Sequence, residues 1–114
     1  MKLEGAQVLV LGPIYTPVLQ GGIKIGMNVN RASHLYMMDS DHGTVRSRLM
    51  IGQAMVSKPI SVGDDVWFGY HVTVLKGVKI AKGCVLGACC VVTKDTEEYF
   101  IYGGVPAKLI GERK

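Results

Sequence analysis

The chain has 114 residues, of which 48% are hydrophobic and 19% charged, with a formal net charge of +4. This length suits a single domain over residues 1–114, and the apolar, weakly charged composition excludes an intrinsically disordered chain. The longest apolar run, residues 88–92, is far shorter than the roughly 20 residues that cross a bilayer, so we expect no membrane span. Three cysteines without metal-ligand spacing favour a reducing, cytoplasmic setting, and nothing in the composition points to nucleic acid.

The N-terminal segment, residues 1–18, contains one apolar run and no detectable repeat. Residues 8–11 are all apolar and predict a strand, and Pro13 and Pro17 interrupt the segment that follows. We therefore assign no repeat register to residues 1–18.

A period of six begins at Leu19 and continues through Ile25 and Met37, with Arg31 in the position between them. A buried, unpaired guanidinium group is very costly. Arg31 must therefore reach solvent, a ligand or a carboxylate partner, for which Asp39 and Asp41 are the candidates.

The repeat loses its phase after Met37. The period resumes at Val62, and the interval from Met37 to Val62 is one position longer than four repeats of six. The chain must leave the repeat between these positions, and the polar sequence after Asp39 predicts a protruding loop near residues 39–58. Functional residues concentrate on loops that a rigid scaffold holds.

In the second half, large apolar residues recur at every sixth position: Val62, Phe68, Val74, Ile80, Leu86 and Val92. Smaller apolar residues stand four positions after all but the last of these: Val66, Val72, Val78, Cys84 and Cys90. A period of six fits neither a helix nor a simple strand pair. It fits a coil in which three successive repeats, each a short strand and a corner, make one turn. The pattern predicts an all-β chain of stacked coils with parallel strands and an aliphatic interior.

Three segments resemble the hexapeptide-repeat acyltransferases, and the sugar O-acetyltransferases (maltose, galactoside and capsular polysaccharide) are the most similar branch. Residues 59–69 (PISVGDDVWFG) are similar to P-V-x-I-G-x-x-V-W-I-G, residues 86–95 (LGACCVVTKD) to I-G-A-G-S-V-V-T-K-D, and residues 103–110 (GGVPAKLI) to G-x-P-A-K-x-I. The resemblance implies a left-handed parallel β-helix with a short C-terminal extension, which usually forms a homotrimer. It also implies an acetyl-CoA-dependent O-acetyltransferase that acts on a sugar or saccharide precursor.

His42 is the leading catalytic candidate. It lies in the segment DSDHGT, residues 39–44, which resembles the D-x-D-H-G segment in which the histidine of these enzymes is the general base. A histidine with a reference pKa of about 6.5 suits proton removal from a hydroxyl near neutral pH. The resemblance favours Asp39 as the carboxylate that orients His42, and it implies direct transfer without a covalent enzyme intermediate. The alternative is a solvated loop histidine.

The resemblance further implies that Ala88, Thr93, Lys94 and Lys108 contact acetyl-CoA. Lys76 stands three repeats, or one coil, before Lys94, so the two ammonium groups would stack on one face as a column that binds phosphate. A plain solvated face is the alternative for this column.

Three further residues are candidates for substrate binding at a cleft between subunits. Tyr70 would face the acceptor on the family pattern, and Trp67 would either wall the cleft or pack against a neighbouring subunit. His34 is a candidate for the same cleft as His42, with a surface position as its alternative, and His71 is interpreted as a surface histidine.

Other functions stay open at this point. A β-helix zinc enzyme similar to the carbonic anhydrases needs three histidines in a spacing that this sequence does not match, so we expect no metal. A non-catalytic β-helix scaffold is the second rival. Within the acyltransferases, an amino-sugar N-acyltransferase and a serine acetyltransferase are alternatives.

Overall fold

The computed structural model describes residues 22–114, so the expectations for residues 1–18 and for Leu19 lie outside the described residues. This part of the chain is built from short strands and one 3-10 turn at Met50–Gly52. The strands are β1 (Ile23–Ile25), β2 (Asn30–Arg31), β3 (Tyr36–Met37), β4 (Ser40–His42), β5 (Met55–Ser57), β6 (Ile60–Val62), β7 (Trp67–Phe68), β8 (Thr73–Val74), β9 (Lys79–Ile80), β10 (Val85–Leu86), β11 (Val91–Val92), β12 (Phe100–Gly103) and β13 (Lys108–Glu112).

Nine of these strands form three complete coils, which are β1–β3, β6–β8 and β9–β11 in chain order. Each coil contributes one strand to each of the three faces of the stack. The first face has the order β1-β6-β9, the second contains β2-β7-β10, and the third contains β3-β8-β11. Within a face, neighbouring strands are parallel. The predicted all-β fold of a parallel β-helix is therefore confirmed.

The strand register explains the loss of phase after Met37. Val62 pairs with Ile80, which lies three repeats later and therefore one coil away. Ile25 pairs with Val62, although the interval between these two is six repeats and one further position. One coil accounts for three of these repeats, so the remainder, residues 40–58, is an insertion between the first and second coils.

The insertion is a β-hairpin that projects from the corner after β3. Its strands β4 and β5 are antiparallel, with Ser40 opposite Ser57 and His42 opposite Met55. The backbone N–H of Lys58 donates a hydrogen bond to the carbonyl of Asp39 at 2.9 Å, which closes the base of the hairpin. The predicted protruding loop is confirmed, and the coil resumes as soon as it ends.

The interior of the coil stack holds the two apolar columns that the period of six predicts. Every member of both columns from Val62 to Val92 is buried. Ile25, Leu35 and Met37 continue this core into the first coil. Arg31 is half-buried in the strand beside Phe68, and this burial lowers the pKa of its guanidinium group.

The C-terminal extension closes the last coil. Strand β12 pairs in parallel with β10, and β13 turns back to pair with β12 in the antiparallel direction. Arg113 donates hydrogen bonds to the carboxylate of Asp65 at 3.1 Å and to the carbonyl of Gly83 at 3.0 Å. These contacts hold the extension against the corners of the second and third coils.

Candidate active site

His42 stands at the end of β4 and lines an open cleft of about 400 Å³ between the hairpin and the second coil. The residues that line it are Asp41, His42, Gly43, Thr44, Met50, Val56 and Lys76. The imidazole is exposed in the single chain. The cleft therefore gives a small polar molecule direct access to a potential base that is carried on a short strand at the edge of a rigid stack.

Lys76 comes into this cleft from the corner after β8. Its Nζ lies 3.4 Å from Oδ2 of Asp41, and the Lys76 side chain is 26% exposed. An ion pair that is open to water contributes little to stability. It does tie the strand that bears His42 to the second coil, and it places a cation beside the candidate base. The sequence predicts Lys76 for phosphate binding and contains no signal for this proximity.

Asp39 is almost completely buried at the base of the hairpin. Its Oδ2 accepts a hydrogen bond from the backbone N–H of Gly22. Among residues 22–114, its Oδ1 has no hydrogen-bond partner, and neither oxygen is bonded to His42. The carboxylate therefore supports the point where the chain leaves the first coil, and its predicted action on the His42 tautomer stays a prediction.

Gln53 is a buried polar residue of the hairpin that sequence reasoning missed. Its Oε1 accepts a hydrogen bond from the N–H of Val45 at 2.8 Å. Its Nε2 donates to the carbonyls of Val45 at 3.0 Å and Arg48 at 3.2 Å. No periodic signal marks this position because the hairpin lies outside the repeat.

Two of the predicted substrate-binding residues, His34 and Tyr70, lie together at a corner outside the lining of the His42 cleft. At the corner that precedes β3 and β8, the ring centroids of His34 and Tyr70 lie 5.4 Å apart, and those of His34 and His71 lie 5.7 Å apart. Trp67 is 52% exposed on β7. In the described part of the chain, Tyr70, Trp67 and His34 do not line the cleft that contains His42.

Three of the predicted acetyl-CoA contacts lie along the edge of the third coil, whereas Lys108 lies on β13 and Lys76 on the second coil. Ala88 is exposed at the corner between β10 and β11, and Thr93 and Lys94 directly follow β11. The N–H of Ala107 donates to the carbonyl of Val91 at 2.8 Å, which brings the segment before Lys108 alongside β11. The coil edge thus presents the small Ala88 side chain before the start of β11 and the exposed ammonium group of Lys94 after its end, while Lys108 follows the segment that contacts the start of β11.

The three cysteines are free thiols with different surroundings. Cys84 and Cys90 are buried, as the inward column predicts, and burial raises the pKa of Cys90 to about 11. Cys89 is exposed at the corner next to Ala88. Both core thiols therefore fill the interior of the coil stack, and the raised pKa leaves Cys90 without nucleophilic character near neutral pH.

Between residues 22 and 114, no group of three or more histidine, cysteine, aspartate or glutamate side chains is arranged to hold a metal ion. In that same range, no helix is long and apolar enough to cross a membrane.

The repeat segment matches a family model described as bacterial transferase hexapeptide (six repeats), over residues 59–94. These residues are hexapeptide repeats. The match covers the second and third coils, which carry the two buried columns and most of the predicted acetyl-CoA edge.

Two curated relatives extend this hexapeptide-repeat similarity over most of the chain. A probable acetyltransferase from Mycobacterium tuberculosis is 39% identical over 93 residues, which cover 81% of this chain and 31% of the relative. The galactoside O-acetyltransferase of Escherichia coli K12 is 37% identical over 90 residues, which cover 79% of this chain and 44% of the relative. The chain spans less than half the length of these relatives.

A solved galactoside acetyltransferase in complex with coenzyme A has the same fold as this hexapeptide-repeat chain. The two superpose with a TM-score of 0.69 at 34% identity, over 80% of this chain and 45% of the other. The resemblance to hexapeptide-repeat acyltransferases that the sequence motifs indicate is therefore confirmed.

Proposed function

We propose that this chain is the β-helical part of an acetyl-CoA-dependent O-acetyltransferase whose acceptor is a hydroxyl group of a sugar or saccharide precursor. The observation that carries the proposal is the position of His42 in an open cleft between the hairpin and the second coil. Similarity to galactoside O-acetyltransferase supports the reaction class, and the coenzyme A complex of a structural neighbour supports the donor.

In this proposal, acetyl-CoA supplies the thioester, and the residues of this chain supply binding and proton transfer. His42 takes the proton of the acceptor hydroxyl as its oxygen attacks the thioester carbonyl, and it then returns a proton to the departing sulfur. One imidazole thus serves both halves of the reaction, and no enzyme nucleophile is needed. Asp39 supports this base indirectly, because its buried carboxylate holds the chain at the start of β4.

The edge of the third coil suits the donor chemically. The small Ala88 side chain leaves the coil backbone accessible to an extended arm with amide groups. Thr93 adds a hydroxyl, and the exposed ammonium groups of Lys94 and Lys108 suit phosphates as point charges. Lys76, on the preceding coil, lines the His42 cleft and stands one coil before Lys94 on this edge.

We propose that the complete site forms between subunits of a homotrimer. Within residues 22–114 of one chain, neither the pair of His34 and Tyr70 nor Trp67 on β7 lines the cleft that contains His42. A neighbouring subunit would bring these side chains opposite the cleft, so that His42 of one chain faces the acceptor-binding side chains of another. The cytoplasmic location also stays a proposal.

His42→Ala tests the mechanism. We expect the variant to fold and assemble normally and to lose acetyl transfer by about 100-fold to 10,000-fold, which is the usual contribution of a general base. Thioester consumption is followed with acetyl-CoA and a panel of sugars, amino sugars and serine. Arg46→Ala, an exposed change in the same hairpin that does not line the cleft, serves as the matched control and keeps wild-type rates.

A His42→Ala variant that retains near wild-type rates would overturn the mechanism. A preference of the wild-type protein for amino sugars or for serine would change the acceptor class and leave the role of His42 in place. Absence of acetyl-CoA binding by calorimetry would instead favour a scaffold.

A further inference from the structure

The loop that walls the His42 cleft is organised around one buried amide group. Gln53, 9% exposed, is among the few polar side chains in the described residues that are buried. We propose that Gln53 is a positioning residue, which holds the hairpin loop in the shape that presents His42 to the acceptor. This inference rests on the proposed function and adds a residue to that site.

The Gln53 side chain bridges both arms of the loop. One end accepts from the N–H of Val45, two residues beyond Gly43, and the other end donates to the carbonyls of Val45 and Arg48. The N–H of Gln53 also donates to the carbonyl of Met50 at 3.1 Å. Gln53 therefore hydrogen-bonds to backbone groups of Val45, Arg48 and Met50, which are spread along the loop between β4 and β5.

Gly43 shows how closely Gln53 approaches the strand that carries His42. The N–H of Gly43 donates to the carbonyl of Ala54 at 3.0 Å. A β-carbon at Gly43 would lie 2.9 Å from Oε1 of Gln53 and 3.2 Å from the oxygen of Ala54. The residue after His42 is thus packed directly against the buried amide, and a shift of Gln53 would be transmitted to His42.

The same contacts shape the wall of the cleft. Gly43, Thr44 and Met50 line the cleft with His42, and they lie in the segment that Gln53 ties together. An apolar side chain in place of Gln53 would leave the Val45 N–H and two carbonyls to find water instead. The loop would then sample other shapes. A displacement of about 1 Å from the productive geometry can cost on the order of 100-fold in rate.

Gln53→Met removes the amide and keeps a side chain of similar length. We expect kcat/KM for the acceptor to fall by about 10-fold to 100-fold, while KM for acetyl-CoA changes by less than about twofold, because Gln53 bonds to the hairpin, whereas Ala88, Thr93 and Lys94 lie on the third coil. Arg46→Met, an exposed change in the same loop, is the matched control and keeps both parameters. A rise in KM for acetyl-CoA as large as the fall in kcat/KM for the acceptor, or an unchanged kcat/KM for the acceptor, would overturn the proposal.

Gln53→Glu supplies a pH signature that a purely space-filling role would not produce. A protonated carboxyl group keeps the acceptor for Val45 and one donor for the carbonyls, whereas the ionised group faces two carbonyl oxygens without a proton. The ratio of Gln53→Glu activity to wild-type activity is therefore expected to rise as pH decreases. A ratio that stays constant with pH would count against hydrogen bonding as the source of the effect.

Amide hydrogen exchange separates this inference from the proposed function, because it needs no activity. In Gln53→Met, exchange at Val45 and its neighbours should accelerate, while the coil strands keep their protection. If His42→Ala abolishes transfer and Gln53→Met changes neither rate nor exchange, this inference fails and the proposed function stands. If the wild-type protein transfers no acetyl group and exchange still accelerates in Gln53→Met, the proposed function fails and the organising role of Gln53 in the loop remains.

Discussion

At the residue scale, Lys76 belongs both to the predicted phosphate-binding column and to the cleft that His42 lines. The spacing of three repeats places it on the coil before Lys94, in a column suited to phosphate. The structure also places its Nζ 3.4 Å from Asp41, in the cleft that His42 lines. The carboxylate offsets part of the lysine charge, so the two members of the column differ in the charge that they offer to an anion.

Lys94→Met and Lys76→Met test the predicted phosphate column. We expect Lys94→Met to raise KM for acetyl-CoA by about tenfold, which corresponds to the loss of one charge-assisted contact. Lys76→Met should raise it by a smaller factor, because Asp41 already pairs with its ammonium group. Steady-state kinetics measures both, with Lys24→Met on the exposed side of β1 as control. Unchanged KM values in both variants would identify the column as a solvated face.

At the element scale, the coil corners decide how closely the turns stack. Gly63 follows β6 at a corner, and a β-carbon there would lie 2.7 Å from the backbone nitrogen of Lys82 and 3.1 Å from the carbonyl carbon of Ala81 on the next coil. Backbone atoms of a hydrogen-bonded coil cannot move aside as the end of a flexible side chain can. The corner therefore requires glycine for close approach of successive coils.

Gly63→Ala is expected to lower the free energy of unfolding by about 1–3 kcal/mol, the usual cost of overpacking. Gly52→Ala is the matched control, because a β-carbon there meets nothing within 4 Å. Urea unfolding followed by circular dichroism measures both variants. Equal stabilities for the two would show that the coils can separate at this corner without a penalty.

The inserted hairpin marks where sequence periodicity stops predicting structure. The interval between Met37 and Val62 predicts that the chain leaves the coil, since it is not a whole number of repeats. It does not predict that β4 and β5 pair, that Gln53 fills the loop, or that Asp39 turns toward Gly22. Those contacts depend on side-chain packing within an irregular segment, for which the repeat carries no information.

At the scale of the whole molecule, apolar side chains remain on the surface of the single chain. Leu49 and Ile51 at the hairpin tip are 78% and 89% exposed. Exposed apolar groups that cluster on a projecting element are typical of surfaces that contact another chain. They are consistent with the proposed trimer, in which the hairpin of one subunit reaches toward the next.

Sedimentation equilibrium tests the assembly. We expect a mass of about three times the 12.3 kDa of one chain. Ile51→Asp, which places a charge at the hairpin tip, should shift the distribution toward the monomer. Lys24→Asp, an exposed change on β1, should leave the mass unchanged. A wild-type protein that sediments as a monomer would exclude an intersubunit site.

The sequence by itself determined the coil, because two apolar columns with a period of six are buried together when three repeats make one turn and the turns stack. The strand register follows from the same period, since Val62 pairs with Ile80 three repeats later. It also located the protruding segment near residues 39–58 and, through the family motif, His42 as the candidate base. Only the tertiary structure decided that Lys76 shares the cleft with His42 and that Gln53 holds the loop around it. The reason is physical. Residues that contact each other within the coil stack are separated by a fixed number of repeats, so the sequence period predicts their contacts. Residues that contact each other across the hairpin have no fixed separation in the sequence, so no period predicts them.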